Sequence, residues 1–262
     1  MQKVVRAGFV ASLALVVLIA AGLMLNSGCS SAPEPAGEPR AAIVDQLYNL
    51  EPNQPLIDDA TAALQGYGLA VDYFQGDQVT VDFYRGLPAR GYKLIIFRAH
   101  SGLLGSSGNT IPKTCLFSAE LYSERTHISE QMTDQLAKAR IDENHPWVFA
   151  VGADFVNQSM AEKFDRTVIL MMGCSTLYMT DLAQAFIEKG ASAFLGWDAT
   201  VGLTYVDGIT PVLLKKLLSD QVSLAQAVIE TLKEKGPDPD FGASLKYYPS
   251  SSGGKTLSEL LQ

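Results

Sequence analysis

One histidine and one cysteine, each just past a short apolar run, are the residues in this chain best suited to chemistry. The first run, Lys93-Leu94-Ile95-Ile96-Phe97-Arg98-Ala99, leads into His100-Ser101-Gly102. The second, Thr167-Val168-Ile169-Leu170-Met171-Met172-Gly173, leads into Cys174-Ser175. A thiol at its free pKa is mostly protonated near neutrality, and a nearby imidazole can take its proton. Attack by the thiolate on an acyl carbon develops an oxyanion, which needs preorganised N–H donors around it. The backbone amide of Cys174, freed by the glycine before it, can be one donor. The turn through Ser101 and Gly102 can supply another. The chemistry implied is acyl hydrolysis through a thioester, with Cys174 as nucleophile and His100 as base.

Such a pair works only if the fold brings both strand ends to one rim. Continuous Val/Ile/Leu/Phe runs of this length fit strands of a parallel sheet covered on both faces. In open α/β sheets the working groups lie just past the carboxyl ends of the strands. The rest of the chain supports that frame. Ala41–Leu47 reads as a first strand, followed by a helix from Pro55 to about Gln65 that Gly66 and Gly68 stop. Leu69–Gln75 reads as a second strand, Val79–Tyr84 as a short helix and Tyr92–His100 as the third strand. From Leu103 to Lys163 the pattern loosens. Gly105-Ser106-Ser107-Gly108-Asn109 reads as a mobile loop, Leu116–Tyr122 and Trp147–Phe155 as strands of a small excursion, and Met132–Ala139 as a helix between them. Regularity returns with the strand Val168–Met172, a helix over Met179–Lys189, the strand Ser192–Trp197, helices Thr210–Leu218 and Leu224–Lys235, and a last strand at Leu245–Tyr248. Strands alternating with helices predict an α/β fold with a mainly parallel sheet.

Composition removes several function classes. The chain has 262 residues, 47% hydrophobic and 18% charged, with a net charge of −8. That is room for one well-cored domain with short appendages. The negative balance and the lack of a basic stripe argue against a nucleic-acid partner. Neither a phosphate loop nor a dinucleotide fingerprint occurs, so no nucleotide cofactor is expected. The three cysteines, Cys29, Cys115 and Cys174, include no Cys-x-x-Cys pair, and no metal site is expected. Outside the cytoplasm a Cys115–Cys174 disulfide is the alternative that would silence the nucleophile. Cys115, in mixed sequence, reads as structural.

The N-terminus has the pattern of an export signal or anchor. Lys3 and Arg6 precede an apolar stretch from Ala7 to Leu25 broken only by Ser12. Its length approaches the about 20 residues that span a bilayer. Asn26-Ser27-Gly28-Cys29 then resembles the box of bacterial-type lipoproteins, with two small residues before the cysteine but Asn26 where a leucine is usual. The resemblance implies cleavage of residues 1–28 and lipidation of Cys29; an uncleaved anchor is the alternative. Either way Lys3 and Arg6 stay on the cytoplasmic side and the rest lies outside it. Ser30–Arg40, with three prolines, reads as a flexible tether, so the folded domain is expected over residues 41–262.

The two strand ends also resemble the caspase-like (clan CD) cysteine peptidases, including gingipain-like, clostripain-like and CHAT-domain proteases. An apolar strand ending in His with Gly close behind, and one ending in Gly173-Cys174, carry the likeness. The run Asp181-Leu182-Ala183-Gln184-Ala185-Phe186-Ile187-Glu188-Lys189-Gly190-Ala191-Ser192-Ala193-Phe194-Leu195-Gly196-Trp197 is similar to that family's helix and following Gly-Ala-strand-Gly-Trp segment. The resemblance covers about Ala41 to Lys235 in element order and some forty residues in motif. It implies a three-layer caspase-like sandwich, a His100–Cys174 dyad with no required third acid, hydrolysis of a peptide or protein substrate, and an oxyanion hole of backbone amides at Ser101, Gly102 and Cys174. One departure stands out: the family usually has Gly directly after the His, and here Ser101 intervenes. The separation of 74 positions between His100 and Cys174 (174 − 100) is accounted for by the irregular excursion.

Two charged residues bear on substrate choice. Asp198, at the end of the strand after Cys174, could pair with a basic P1 side chain or cap a turn. Arg98, two residues before His100, could read an acidic P1 or pair with Asp198. His127 and His145 lie in polar sequence and are expected to face solvent. The leading expectation is therefore a membrane-tethered extracytoplasmic cysteine peptidase. A catalytically inactive relative that grips a peptide at the cell surface, and another thiol-dependent acyl hydrolase or transferase, fit the same residues.

Overall fold

The computed structural model describes residues 38–105 and 111–262. The signal or anchor segment, Cys29, the tether up to residue 37 and most of the Gly105–Asn109 loop lie outside them. The first half of the sheet follows the expected order. β1 (Arg40–Asp45), α1 (Gln54–Gly66), β2 (Ala70–Gln75), α2 (Val81–Arg85) and β3 (Tyr92–Arg98) form its opening series. Asn53 caps α1 by accepting the Leu56 N–H, with Pro55 in the first turn. Thr80 caps α2 in the same way through the Phe83 N–H.

The excursion differs from expectation in three places. β4 (Ser101–Leu104) follows β3 after a two-residue bend and pairs antiparallel with β5 (Lys113–Leu121). Next, α3 (Ile128–Met132) is short, and the expected helix over Met132–Ala139 is instead the strand β6 (Leu136–Ala139). Leu136 and Ala139 are both buried, and their i,i+3 spacing imitates a helical face. Asp134 takes a left-handed φ of 55°, which ends the helix, and β6 then pairs with β7 (Val148–Gly152). Finally, the strand predicted through Phe155 stops at Gly152, whose extended backbone starts α4 (Ala153–Gln158). The result is a second, antiparallel sheet in the order β4-β5-β7-β6.

The chain then returns to the main sheet through β8 (Val168–Met171), α5 (Asp181–Glu188), β9 (Ala193–Trp197), α6 (Leu203–Leu214), α7 (Leu224–Lys235), β10 (Leu245–Tyr248) and α8 (Leu257–Leu261). α6 starts seven residues earlier than expected (210 − 203) and runs on through a wide turn over Lys215–Ser219. Gly208 and Pro211 read as breakers in the sequence, yet the buried stripe Val206, Ile209, Leu213 and Leu214 overrides that local preference. The main sheet has the order β10-β9-β8-β3-β1-β2, parallel except for β10, which pairs antiparallel with β9. The fold is thus α/β with a mixed, mostly parallel sheet.

Alternate residues of its central strands enter two separate cores, as a period of two requires. Ile43, Leu94, Ile96, Leu170 and Leu195 pack with Leu56, Leu64, Leu213 and Leu224 of the helices on one face. Val44, Ile95, Phe97, Ile169 and Phe194 pack on the other with Phe186 of α5 and with Phe149 and Val151 of the second sheet. Each such fully buried side chain is worth about 1.5–3 kcal/mol. These cores hold β3 and β8 side by side, with Leu94 opposite Val168 and Phe97 opposite Met171. No helix among the described residues is long and apolar enough to cross a membrane.

Candidate active site

His100 lies two residues beyond β3 and Cys174 three beyond β8, and these strands are neighbours. Both side chains line one cavity of about 250 Å³, walled by Leu47, Ala99, Met172, Val201, Leu203, Val206 and Phe241. The two residues paired from sequence therefore meet in one mostly apolar cleft. No hydrogen bond joins them; the Cys174 Sγ donates to the Val201 carbonyl at 3.5 Å.

Close approach of the two strand ends depends on Gly173. A Cβ there would overlap Ser101 Oγ and come within 2.6 Å of the Ala99 carbonyl oxygen. Through that gap Ser101 Oγ donates to the Cys174 carbonyl at 2.7 Å. Gly173→Ala must push the ends apart, and overpacking of this kind costs about 1–3 kcal/mol. The expected result is a lower urea midpoint with at least a tenfold slower reaction of Cys174 with a peptide electrophile; an unchanged midpoint and rate would show that the ends need no such contact. Ser175, directly after Cys174, holds a left-handed φ of 55°, a conformation that costs a side chain-bearing residue about 1–2 kcal/mol. It is kept there by the loop's bonds to the β9 side: Ser175 N–H to the Ala199 carbonyl at 2.9 Å and Leu177 N–H to that of Trp197 at 2.8 Å. Strain of this sort persists where the surroundings over-determine the backbone.

The oxyanion donors divide. The Phe117 N–H donates to the His100 carbonyl at 2.9 Å, while the Thr114 N–H turns away to Asp181 at 2.8 Å. In an antiparallel ladder hydrogen-bonded and non-bonded pairs alternate. Gly102 opposite Cys115 is therefore a bonded pair, and Ser101 opposite Leu116 is not. The Gly102 amide is spent on β5, which corrects its expected role. The Ser101 amide points away from β5, and no acceptor among the described residues takes the Cys174 N–H. Of these two amides, that of Cys174 belongs to a residue lining the cleft.

The electrostatics keep His100 neutral. Burial, then the nearby charges of His145 and Arg98, push its pKa down from 6.5 to about 4. The ring packs against Phe117, and the His100 N–H donates to Gln46 Oε1 at 3.0 Å. Gln46, one residue past β1, also donates its own N–H to the Arg98 carbonyl at 2.9 Å and its side-chain amide to the Ser118 carbonyl at 3.4 Å. It fixes the bend that carries His100, a role the sequence reading missed; its place at a parallel strand's carboxyl end was the available signal.

Neither charged residue expected at the substrate pocket lies in this cleft. Arg98 is 1% exposed; its Nη1 donates to Asp45 at 3.0 Å, and its Nε and Nη2 grip both oxygens of Asp207 at 3.0 and 2.8 Å. Its positive charge is consumed by two carboxylates of α6 and β1, which rules it out as the reader of an acidic substrate. Asp198 accepts the Ser244 N–H at 2.7 Å and lies 3.5 Å from Lys246 Nζ, so it extends the β9–β10 pairing instead of lining the cleft. The sequence misled here because strand-end position gives the rim but not the direction of the side chain. A larger cavity of about 480 Å³, bounded by Glu51, Asn53, Asp59, Arg98 and Asp207, adjoins through Leu203, which lines both.

Cys115 is buried, free and 3.4 Å from the Gly102 carbonyl, and burial raises its thiol to about 12. It is no nucleophile, and Cys174 is free as well, so no disulfide joins them. His127 does not face solvent: its ring bonds Glu120 at 2.8 Å and packs edge-on against Phe149. His145 bonds Asp142 at 2.9 Å. No group of His, Cys, Asp or Glu among the described residues could hold a metal ion. Comparison of the sequence with protein-family models and with curated proteins found no match.

Proposed function

We propose that this chain is a membrane-tethered, extracytoplasmic cysteine peptidase with a caspase-like three-layer sandwich, held at the membrane by lipid on Cys29 or by an uncleaved N-terminal helix. The observation that carries the reading is the cleft itself: a neutral, half-buried imidazole and a free thiol from adjacent strand ends lining one cavity, with the Cys174 amide unspent beside them and the Ser101 amide turned away from β5.

In this reading His100 takes the Cys174 proton as sulfur attacks the scissile carbonyl. The oxyanion accepts hydrogen bonds from the Ser101 and Cys174 N–H groups. Collapse breaks the C–N bond, and the imidazolium returns its proton to the leaving amine. Water, deprotonated by His100, then attacks the thioester and releases the acid, with the thiol restored. The apolar walls exclude bulk water, which strengthens each of these interactions.

The test is covalent labelling of the full chain, in its membrane fraction, by peptidyl acyloxymethyl ketones. Wild type and Cys115→Ala should label and Cys174→Ala should not, with all three equally folded by circular dichroism. Labelling that persists in Cys174→Ala would overturn the assignment. The missing His100–Cys174 hydrogen bond and the Sγ contact with Val201 favour a second reading, an inactive relative that binds peptides. Catalytic hydrogen bonds are often long without substrate, so the first reading stands ahead. Peptide binding with no labelling and no turnover would reverse that order.

A further inference from the structure

The cavity that holds the dyad has no charged wall among the described residues. Leu47, Met172, Val201 and Val206 are each at most 6% exposed, and no Asp, Glu, Lys or Arg lines the space between them. The acidic groups nearest to it, Glu51, Asp59 and Asp207, line the adjoining cavity, and half-buried Leu203 is the wall the two share. The protein fixes these walls itself. Asp238, 1% exposed, accepts the Gly202 N–H and, at 2.8 Å, the Asp240 N–H. It thereby ties the turn that bears Val201 and Leu203 to the one that bears Phe241. Phe241 is 56% exposed, with surface left for an incoming group to cover.

A group bonded to Cys174 Sγ starts inside this cavity, so the side chain next to the acyl carbon is the first to meet its walls. Burying a charge there without an opposite charge is costly, whereas an apolar side chain gains with each unit of area it removes from water. An apolar cavity of about 150 Å³ is enough for benzene. One of about 250 Å³ therefore has room for a leucine or methionine side chain. We propose that this cavity is the P1 pocket and that the substrate presents an uncharged aliphatic side chain of that size to it. The substrate class is then a peptide cut after leucine or methionine, not after a basic or an acidic residue. The inference rests on the peptidase reading and deepens it.

Four acyloxymethyl ketones on one acetyl-tetrapeptide, differing only in a last residue of Leu, Ala, Lys or Asp, test it on the full chain in its membrane fraction. Iodoacetamide, which has no P1 side chain, reports the thiol itself. The Leu probe should label Cys174 about tenfold faster than the Ala probe, the worth of burying the larger side chain. It should label at least tenfold faster than the Lys or Asp probe. Leu203→Glu places a carboxylate on the shared wall, at the first residue of α6, where a helix favours a negative charge. This variant should lower the Leu-to-Lys rate ratio at least tenfold; should it not fold, the wild-type series decides alone. A Leu rate no higher than that of Ala, Lys or Asp would overturn the P1 assignment while leaving the peptidase reading intact. So would an unchanged Leu-to-Lys ratio in Leu203→Glu folded by circular dichroism. Labelling of wild type by iodoacetamide but by none of the four peptides would overturn both.

Discussion

Arg98→Met is expected to destabilise the fold by about 3–5 kcal/mol, the cost of leaving a buried charge without its partner. Asp45 has no exposed surface, and with Arg98 gone only the Tyr73 hydroxyl at 3.0 Å and the Leu47 backbone, neither of them charged, still face its carboxylate. Burial already pushes the Asp45 carboxyl above its ordinary value, against the pull of Arg98. Removing the guanidinium must raise it further. The native state of the variant then holds a proton that the unfolded state releases, so its stability falls as pH rises. Urea unfolding should show the largest deficit near pH 7 and a smaller one near pH 5. Adding Asp45→Asn to Arg98→Met should restore part of the loss. A deficit below about 1 kcal/mol, the size of an exposed pair, would mean that the triad is not the buried structural element described above.

His100→Ala is the variant with the largest expected effect on rate. A positioned base contributes about 10²–10⁴-fold, so turnover should fall by that factor, while binding of an uncleaved peptide changes little. The pH profile separates a base from a merely structural histidine. With the imidazole held near 4 by burial, His145 and Arg98, the acid limb of wild type should lie near that value, well below the usual histidine range. His145→Ala removes one of the charges that depress it and should move the limb upward. The same shift has a stability consequence. An unfolded histidine binds its proton below about 6.5 and the folded one does not until about 4. The contribution of neutral His100 is fully present above the unfolded value and is lost as pH falls from there through the folded one. An acid limb at an ordinary histidine pKa, unmoved in His145→Ala, would remove His100 from the role of base.

Much of this molecule is legible in the order of its residues. The apolar runs at Leu94–Phe97 and Val168–Met171 are buried on both faces because their side chains alternate into two cores, and a run with no polar interruption can sit nowhere else. That these two strands lie side by side, and so bring His100 to Cys174, is not legible in the same way: the connection between them carries the whole antiparallel sheet, and the pairing was decided by the fold. Gly173 stands out in the sequence only as the residue that frees the Cys174 amide; that a Cβ there would meet Ser101 and Ala99 is a finding of the fold. What tertiary structure alone decided is where polar groups point. Arg98 and Asp198 sit at strand ends like the dyad, yet their charges are taken by Asp45, Asp207, Ser244 and Lys246, all of which lie more than forty residues away. Gly102 and Ser101 differ by one residue, yet pairing with β5 spends one amide and frees the other. The helical spacing of Leu136 and Ala139 was outweighed by a ladder with β7 that only the folded chain provides. Local preference is worth tenths of a kcal/mol per residue, and burial against a distant partner is worth several times that. Where the two disagree, the partner wins.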